Sequence, residues 1–527
     1  MHLRKLAAAT LVLAACGDNT QPGFAPLIPD PDVETGCKPG PVTGARAKVV
    51  ECGEELIGGR LASGRVGDFV LENENLRVIV RGPGEGYLMH GTSGGGIVDA
   101  ARVGGEDLVK EIFVSIDFAA GAFDELVITE AGDDGPAEIV VRGPATGIDI
   151  VQAALAREIP NVIVEHHYRL ATGAREVELE TRVFPGPDGV KETHELRDAM
   201  FLGGRAPAFD SADMFATAGT TTSYGLVYET DVPQVIDLAG IVLISGPDTD
   251  DQGTIRSFVI GDGSVASVTE RGWQLRETET GEITGTSSAN VDVVFAQGGI
   301  PITRARSDAE GAFRATVPVG VYELHAAAFE VSGAEMTATT GGGAVSVPVI
   351  AFGQLALSVR DEVDHPIPAR VKITPMGGTD ERFEWIDSTG EATFRVPAGT
   401  YRVSVSRGME YEAFEAAAMV IAAGAMVTQP IVLEHSVDTA GWISLDTHLH
   451  SELSPDSQFP IDDRLKAVAG QAAGHRVRRD PRQRSEPHRA GQPSARWEQQ
   501  PVRCDPARCR DADGRSRSGD PRVCARD

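Results

Sequence analysis

The chain has 527 residues, 41% of them hydrophobic, with a formal net charge of −29, and a length beyond what one hydrophobic core holds predicts several domains. Its 60 Gly, 31 Pro and many short Val/Ile/Phe runs favour strands over helical bundles. The acidic balance argues against nucleic acid as a partner and fits the soluble surface of an exported protein.

At the N-terminus, Arg4 and Lys5 precede the apolar run Leu6–Ala15, too short to span a bilayer as a mature helix. The run closes on Leu13-Ala14-Ala15-Cys16-Gly17, which resembles the lipobox of bacterial lipoproteins. The resemblance implies a signal peptide over 1–16 and lipidation of Cys16. The membrane then becomes a partner through an anchor rather than a spanning helix, in the cell envelope on its periplasmic or surface side. Residues 17–44 are rich in Pro, Gly and Asp and read as a flexible tether. Cys37 and Cys52 lie 15 residues apart, and in an oxidising compartment a disulfide between them would staple the tether to the first domain.

The fold class expected is mainly β. Residues 45–280 read as one large β-sandwich. A strand over 76–80 follows the turn-rich Glu72-Asn73-Glu74-Asn75, and strands 161–170 and 177–183 form a hairpin around Thr172-Gly173. No helical period stands out here. The strand rhythm resembles the galactose-mutarotase-like sandwiches, which implies carbohydrate as a partner. His166 and His167 are adjacent on a strand, so at most one enters a given pocket, and both are expected to be partly exposed. The run Gly91–Gly96 lacks the Gly-Lys-Ser/Thr ending of a phosphate loop and reads as a turn. Asp248-Thr249-Asp250-Asp251 lacks EF-hand spacing and reads as a solvated loop.

An internal repeat follows. Phe313-Arg314 leads to Pro318-Val319-Gly320-Val321-Tyr322, and Phe394-Arg395 leads to Pro397-Ala398-Gly399-Thr400-Tyr401. Each copy follows an acidic Gly turn and is preceded by a strand pair, 290–303 and 354–374. Pro-x-Gly reverses the chain, and the tyrosine opens the return strand. The repeat resembles the carboxypeptidase-regulatory-like family of small immunoglobulin-type (Ig-like) sandwiches, which implies two modules over 281–352 and 353–437 acting as spacers.

From 438 to 474 the chain changes chemistry. Ile443-Ser444-Leu445 leads to Asp446-Thr447-His448-Leu449-His450-Ser451. On a strand Asp446, His448 and His450 share a face, and two neutral imidazoles with carboxylates nearby suit a divalent metal. With Ser454-Pro455-Asp456-Ser457 and an Ala/Val-rich helix from Ile461 to Ala473, the segment resembles the start of a PHP (polymerase and histidinol phosphatase) domain. That family implies a β/α barrel and hydrolysis of phosphoester-type bonds at a zinc, manganese or iron site. His448 and His450 match its first metal-ligand pair. Asp456 matches a residue near the site, and Asp446 sits where a carboxylate would orient an imidazole. The later ligands of the family find no match, and 85 residues follow Trp442 where a β/α barrel needs roughly 200.

Residues 475–527 carry 14 Arg, 8 acidic residues and no Lys, Ile, Leu, Phe or Met, and read as a disordered basic tail. A shifted reading frame is a second origin. Codons for 475–483 read one base forward can encode Ile-Glu-Phe-Val-Ala-Thr-His-Asp-Asn, a strand ending in a ligand-like pair. A gene read across codons 470–480 distinguishes the two. The expectation is therefore an exported, lipid-anchored β-protein carrying the first β/α unit of an incomplete PHP-type hydrolase, inactive and weak in metal binding. The competing reading is a non-enzymatic surface adhesin or carbohydrate-binding protein.

Overall fold

A computed structural model of the chain describes residues 24–471, apart from 60, 85–93, 133–134, 149–156, 204–207, 211–213, 220, 230–233, 239–240, 329–330, 379–380, 440–447, 452–453, 455–456 and 458. Cys16, Asp446, Asp456, residues 1–16 and residues 475–527 lie outside the described residues.

The protein is mainly β. Its first part pairs two antiparallel sheets. One runs, in spatial order, through Arg46–Val49, Phe69–Glu72, Leu76–Val80, Ile97–Arg102, Val109–Ile116, Leu196–Leu202, Ile241–Ser245 and Gln234–Leu238. The other runs through Glu125–Glu130, Ala137–Thr146, Val162–Leu170, Glu176–Pro185, Thr254–Gly261, Ser223–Val227, Phe215–Ala218 and Ala208–Asp210. Alternation sets what each face carries. Val162, Val164, Tyr168 and Leu170 join one apolar core with Val78, Val114 and Met200 of the facing sheet. The hairpin Val162–Leu170/Glu176–Pro185 turns at Gly173, whose φ of +73° explains the glycine. Asn73 closes the turn before Leu76. Its Oδ1 accepts from the Asn75 and Leu76 N–H groups, and its amide donates to the Ala171 and Ala174 carbonyls. Gly94 and Gly95, both with positive φ, lead into strand Ile97–Arg102.

A helix stands where the period suggested none: Val265–Leu275, capped by the Ser264 side chain accepting from the Ser267 N–H at 3.1 Å. Its buried face includes Thr269 and Gly272, which break an apolar reading of that stretch. A Cβ at Gly272 would lie 2.7 Å from the Met214 sulfur, so the methionine packs directly on the helix backbone there. The helix seats Trp273 in a core that combines Met214, Ala216, Val227 and Val259 of the large sandwich with Val293, Phe313 and Val317 beyond residue 280. The hydrophobic core therefore runs across the position where the sequence suggests a boundary.

Two small sandwiches of one topology follow. In the first, Thr280–Thr286 lies between Ala312–Pro318, antiparallel, and Val345–Ser346, parallel; the facing sheet holds Ile300–Arg306, Asp292–Gln297, Val321–Ala328 and Met336–Thr339, with the short Val331–Ser332 also paired to Val321–Ala328. In the second, Phe352–Asp361 lies between Glu391–Pro397, antiparallel, and Met426–Leu433, parallel; the facing sheet holds Arg382–Ile386, Ala369–Pro375, Gly399–Ser406 and Phe414–Ile421. The strands matching 292–306 are thus 369–375 and 382–386, one strand later than the spacing of the repeat suggested. In both copies the tyrosine after Pro-x-Gly buries its ring and donates its hydroxyl back four residues: Tyr322 to the Pro318 carbonyl at 2.7 Å, Tyr401 to the Pro397 carbonyl at 2.6 Å. A buried phenol needs such an acceptor, and this one also holds the turn.

Candidate metal centre

His448–His450 are described without strand pairing, and 443–447, where the strand is expected, lie outside the described residues. The two rings nevertheless share a side. Their Nε2 atoms approach to 2.5 Å, with ring centroids 4.6 Å apart and planes inclined by 25°. Imidazole nitrogens are donors that a borderline-soft divalent ion accepts, but two on one tetrahedral zinc stand about 3.3 Å apart at Zn–N distances of about 2.0–2.1 Å, so these two would have to open to share an ion. The pair fills two positions, whereas a catalytic zinc takes about three protein ligands. Among the described residues, the group of three or more ligating side chains within mutual reach is Cys37, Cys52 and Glu54, and its two sulfurs are joined in a disulfide across a Cα–Cα distance of 5.5 Å. Ligands completing the histidine pair would have to come from outside the described residues.

The helix following the motif is Ile461–Gln471, with Asp462 and Asp463 in its first turn, where its dipole favours negative charge. It packs on strands Ala369–Pro375 and Arg382–Ile386 of the second small sandwich. Ala467 is buried there, and Gly470 approaches so closely that a Cβ would lie 3.0 Å from the Ala369 carbonyl carbon. Ahead of the helix, Ser451 and Ser457 are buried, and the Lys110 ammonium of the large sandwich donates to the carbonyls of Ser454, at 2.7 Å, and Ser457. No sequence signal marks Lys110. In Val109-Lys110-Glu111-Ile112 a charged pair inside a strand reads as solvated surface, and the partner lies 344 residues away.

His166 and His167 are both buried, at 2% and 9% exposure, contrary to the partly exposed strand histidines expected. They face opposite sides of their strand, and each side is covered. His166 points between the sheets, where its Nδ1 lies 2.7 Å from Thr181 Oγ1 and its ring meets Tyr168 edge-on. Burial, with the charges of Arg256 and His167 adding to it, holds its pKa well below the ordinary imidazole value, so it is neutral. In the same interior Arg256 crosses from one sheet to Asp198 of the other, with contacts of 2.7 and 2.5 Å, and reaches Thr181 at 2.8 Å.

His167 lies on the outer face between Glu138, at 3.1 Å, and Glu165, at 2.9 Å. Arg142, stacked on Phe24 at 4.5 Å, closes over Glu165. Burial pulls the His167 imidazole down, but its hydrogen bonds to the two carboxylates outweigh that and push it up to about 9. Burial raises Glu138, and its hydrogen bonds to His167 and Thr129 bring it down to about 2. The stabilisation held by protonated His167 is therefore full below 6.5 and is lost as pH rises through about 9. That held by ionised Glu138 is full above 4.5 and is lost as pH falls through about 2. His167→Gln should flatten the alkaline limb. Urea midpoints measured from pH 6 to pH 9 should fall in the parent and stay level in the variant, and parallel falls would refute the assignment.

Asp248–Asp251 is not a free acidic loop. Thr249 is buried, bridges to His194 and donates to the Thr181 carbonyl, while Asp251 pairs with Lys191 at 2.6 Å. Elsewhere, a groove of about 480 Å³ lies beside the disulfide, with Leu56, Ile57 and Val42 in its walls and Glu54, Glu74 and Arg102 exposed in it.

No family model matches the chain, and no curated protein matches it. Among solved structures, the Bacillus anthracis TIE protein aligns over 71% of this chain and 62% of its own length, at 10% identity and a TM-score of 0.16. The chain thus covers a little under two thirds of that protein. Shaft pilin spaA from Lactobacillus rhamnosus GG aligns over 30% of this chain and 98% of its own, at 11% identity and a TM-score of 0.19. A streptococcal ancillary pilin aligns over 40% and 80%, at 11% identity and a TM-score of 0.16. At TM-scores this low the likenesses carry no argument about this chain.

Proposed function

We propose that the protein is an exported, lipid-anchored surface protein, in which a large β-sandwich and two Ig-like modules form a non-enzymatic binding scaffold. The observation carrying this reading is the seat of the helix Ile461–Gln471. It lies on strands of the second small sandwich, so the histidine segment is built into the β-body as one of its parts. Among the described residues no helix is long and apolar enough to cross a membrane, and attachment is assigned to the acylated Cys16. The groove beside the disulfide is the proposed carbohydrate contact. Glu54 and Glu74 can accept from sugar hydroxyls, and Arg102 can donate to them.

A second reading is favoured by one observation, the convergence of the His448 and His450 Nε2 atoms. In it, 438–474 is the opening segment of a PHP-type metallohydrolase that takes zinc, manganese or iron. A glycan array and a phosphoesterase panel with zinc or manganese, both run on the full chain, separate the two. The scaffold reading expects glycan binding that Glu74→Ala or Arg102→Ala weakens and His448→Ala leaves unchanged, with no turnover. Metal-dependent turnover abolished by His448→Ala would overturn it in favour of the hydrolase.

A further inference from the structure

We propose that Lys110, a residue of the large sandwich, is a positioning residue for the His448–His450 pair; this rests on the metal-binding reading of that pair. Strand Val109–Ile116 pairs with Leu196–Leu202 in register from Ile116 to Glu111, which faces Phe201; the next partner of Leu202 is Val109. Lys110 is the extra residue of this bulge. A bulge residue drops out of the ladder, and its side chain is re-aimed.

The redirected side chain is 1% exposed, so its ammonium needs acceptors where water is scarce. It finds the Ser454 carbonyl at 2.7 Å and the Ser457 carbonyl. Ser454 in turn is hydrogen-bonded to Ser451, its N–H donating to the Ser451 carbonyl at 2.7 Å and its Oγ accepting from the Ser451 N–H at 3.3 Å. Ser451 is bonded to His450. The connection from the ammonium to the second imidazole is therefore Lys110, Ser454, Ser451, His450, with each link fixed by a hydrogen bond or the chain itself. Downstream, the helix Ile461–Gln471 is seated on the second small sandwich. The described residues after the histidine pair are held from two separate parts of the β-body, and two imidazoles held in advance lose less freedom when they close on an ion.

The test uses the full chain, zinc titration against a chromophoric chelator, and hydrogen exchange at the Ser451 and Ser454 amides. Lys110→Met is expected to weaken zinc binding by about tenfold, the loss typical when a group orienting a metal ligand is removed, and to speed exchange at Ser454. Lys110→Arg, which keeps the charge and the donors, should recover part of both. His448→Ala should abolish zinc binding and leave the exchange unchanged. Faster exchange with unchanged zinc affinity in Lys110→Met would reduce Lys110 to a docking contact and overturn the proposal, as would unchanged exchange. Zinc binding that survives His448→Ala would remove the metal reading itself, whatever Lys110 does. Should Lys110→Met fail to fold, reductive methylation of the parent chain decides. Lys110 is expected to resist while Lys191 and Lys466 react, and rapid modification of Lys110 overturns its burial under the loop.

Discussion

Asp198→Ala is expected to destabilise the large sandwich by about 3–5 kcal/mol, the cost of leaving one partner of a buried ion pair alone. Arg256 and Asp198 are both about fully buried, come from opposite sheets and meet through two hydrogen bonds. Removing the carboxylate strands a guanidinium that cannot shed its charge and cannot reach water from a 1% exposed position. It also frees Tyr228, whose hydroxyl is 3.4 Å from Asp198 Oδ2. The paired replacement Asp198→Leu with Arg256→Met should recover most of the loss, because two apolar side chains need no partner. Urea unfolding followed by far-ultraviolet circular dichroism reads both. A loss under about 1 kcal/mol in Asp198→Ala, the range of exposed pairs, would show that solvent reaches the arginine.

Trp273→Ala is expected to cost about 3–5 kcal/mol through the cavity it leaves, and to uncouple two parts of the molecule. Trp273 is 1% exposed and sits in the core shared by the large sandwich and the first small one. While that core is intact the two should unfold in one calorimetric transition; the variant should split it into two, with the lower one shifted downward. Two resolved transitions in the parent chain would remove the shared core as an energetic unit, even though the side chains touch.

The strands were legible because half-buried strands carry a period of two, and hairpins declare themselves through Gly and Asn. The Pro-x-Gly-x-Tyr repeat was legible as local chemistry, and the structure adds the return hydrogen bonds of Tyr322 and Tyr401. The helix at 265–275 was not legible. Its buried face contains Thr269 and Gly272, chosen for the space beneath Met214 and for Thr303, 2.7 Å from the Thr269 hydroxyl. The burial of His167 was hidden for a related reason. An imidazole, two carboxylates and arginines on an outward strand face look solvated one by one, and become a closed layer only when Arg142 and Phe24 cover them.

The same division holds at the histidine pair. Spacing two apart puts His448 and His450 on one side of an extended segment, since alternate side chains point alike, and the sequence alone offered these two imidazoles as a pair. It also determined the β class and the twofold repeat, because both follow from interactions within a few residues. Only the tertiary structure decided what holds the pair: an ammonium from a bulge at Lys110 and a helix seat on the strands 369–375 and 382–386. Contacts across hundreds of residues leave no periodic trace in the chain, because their geometry is set by how whole sheets pack and not by neighbouring side chains.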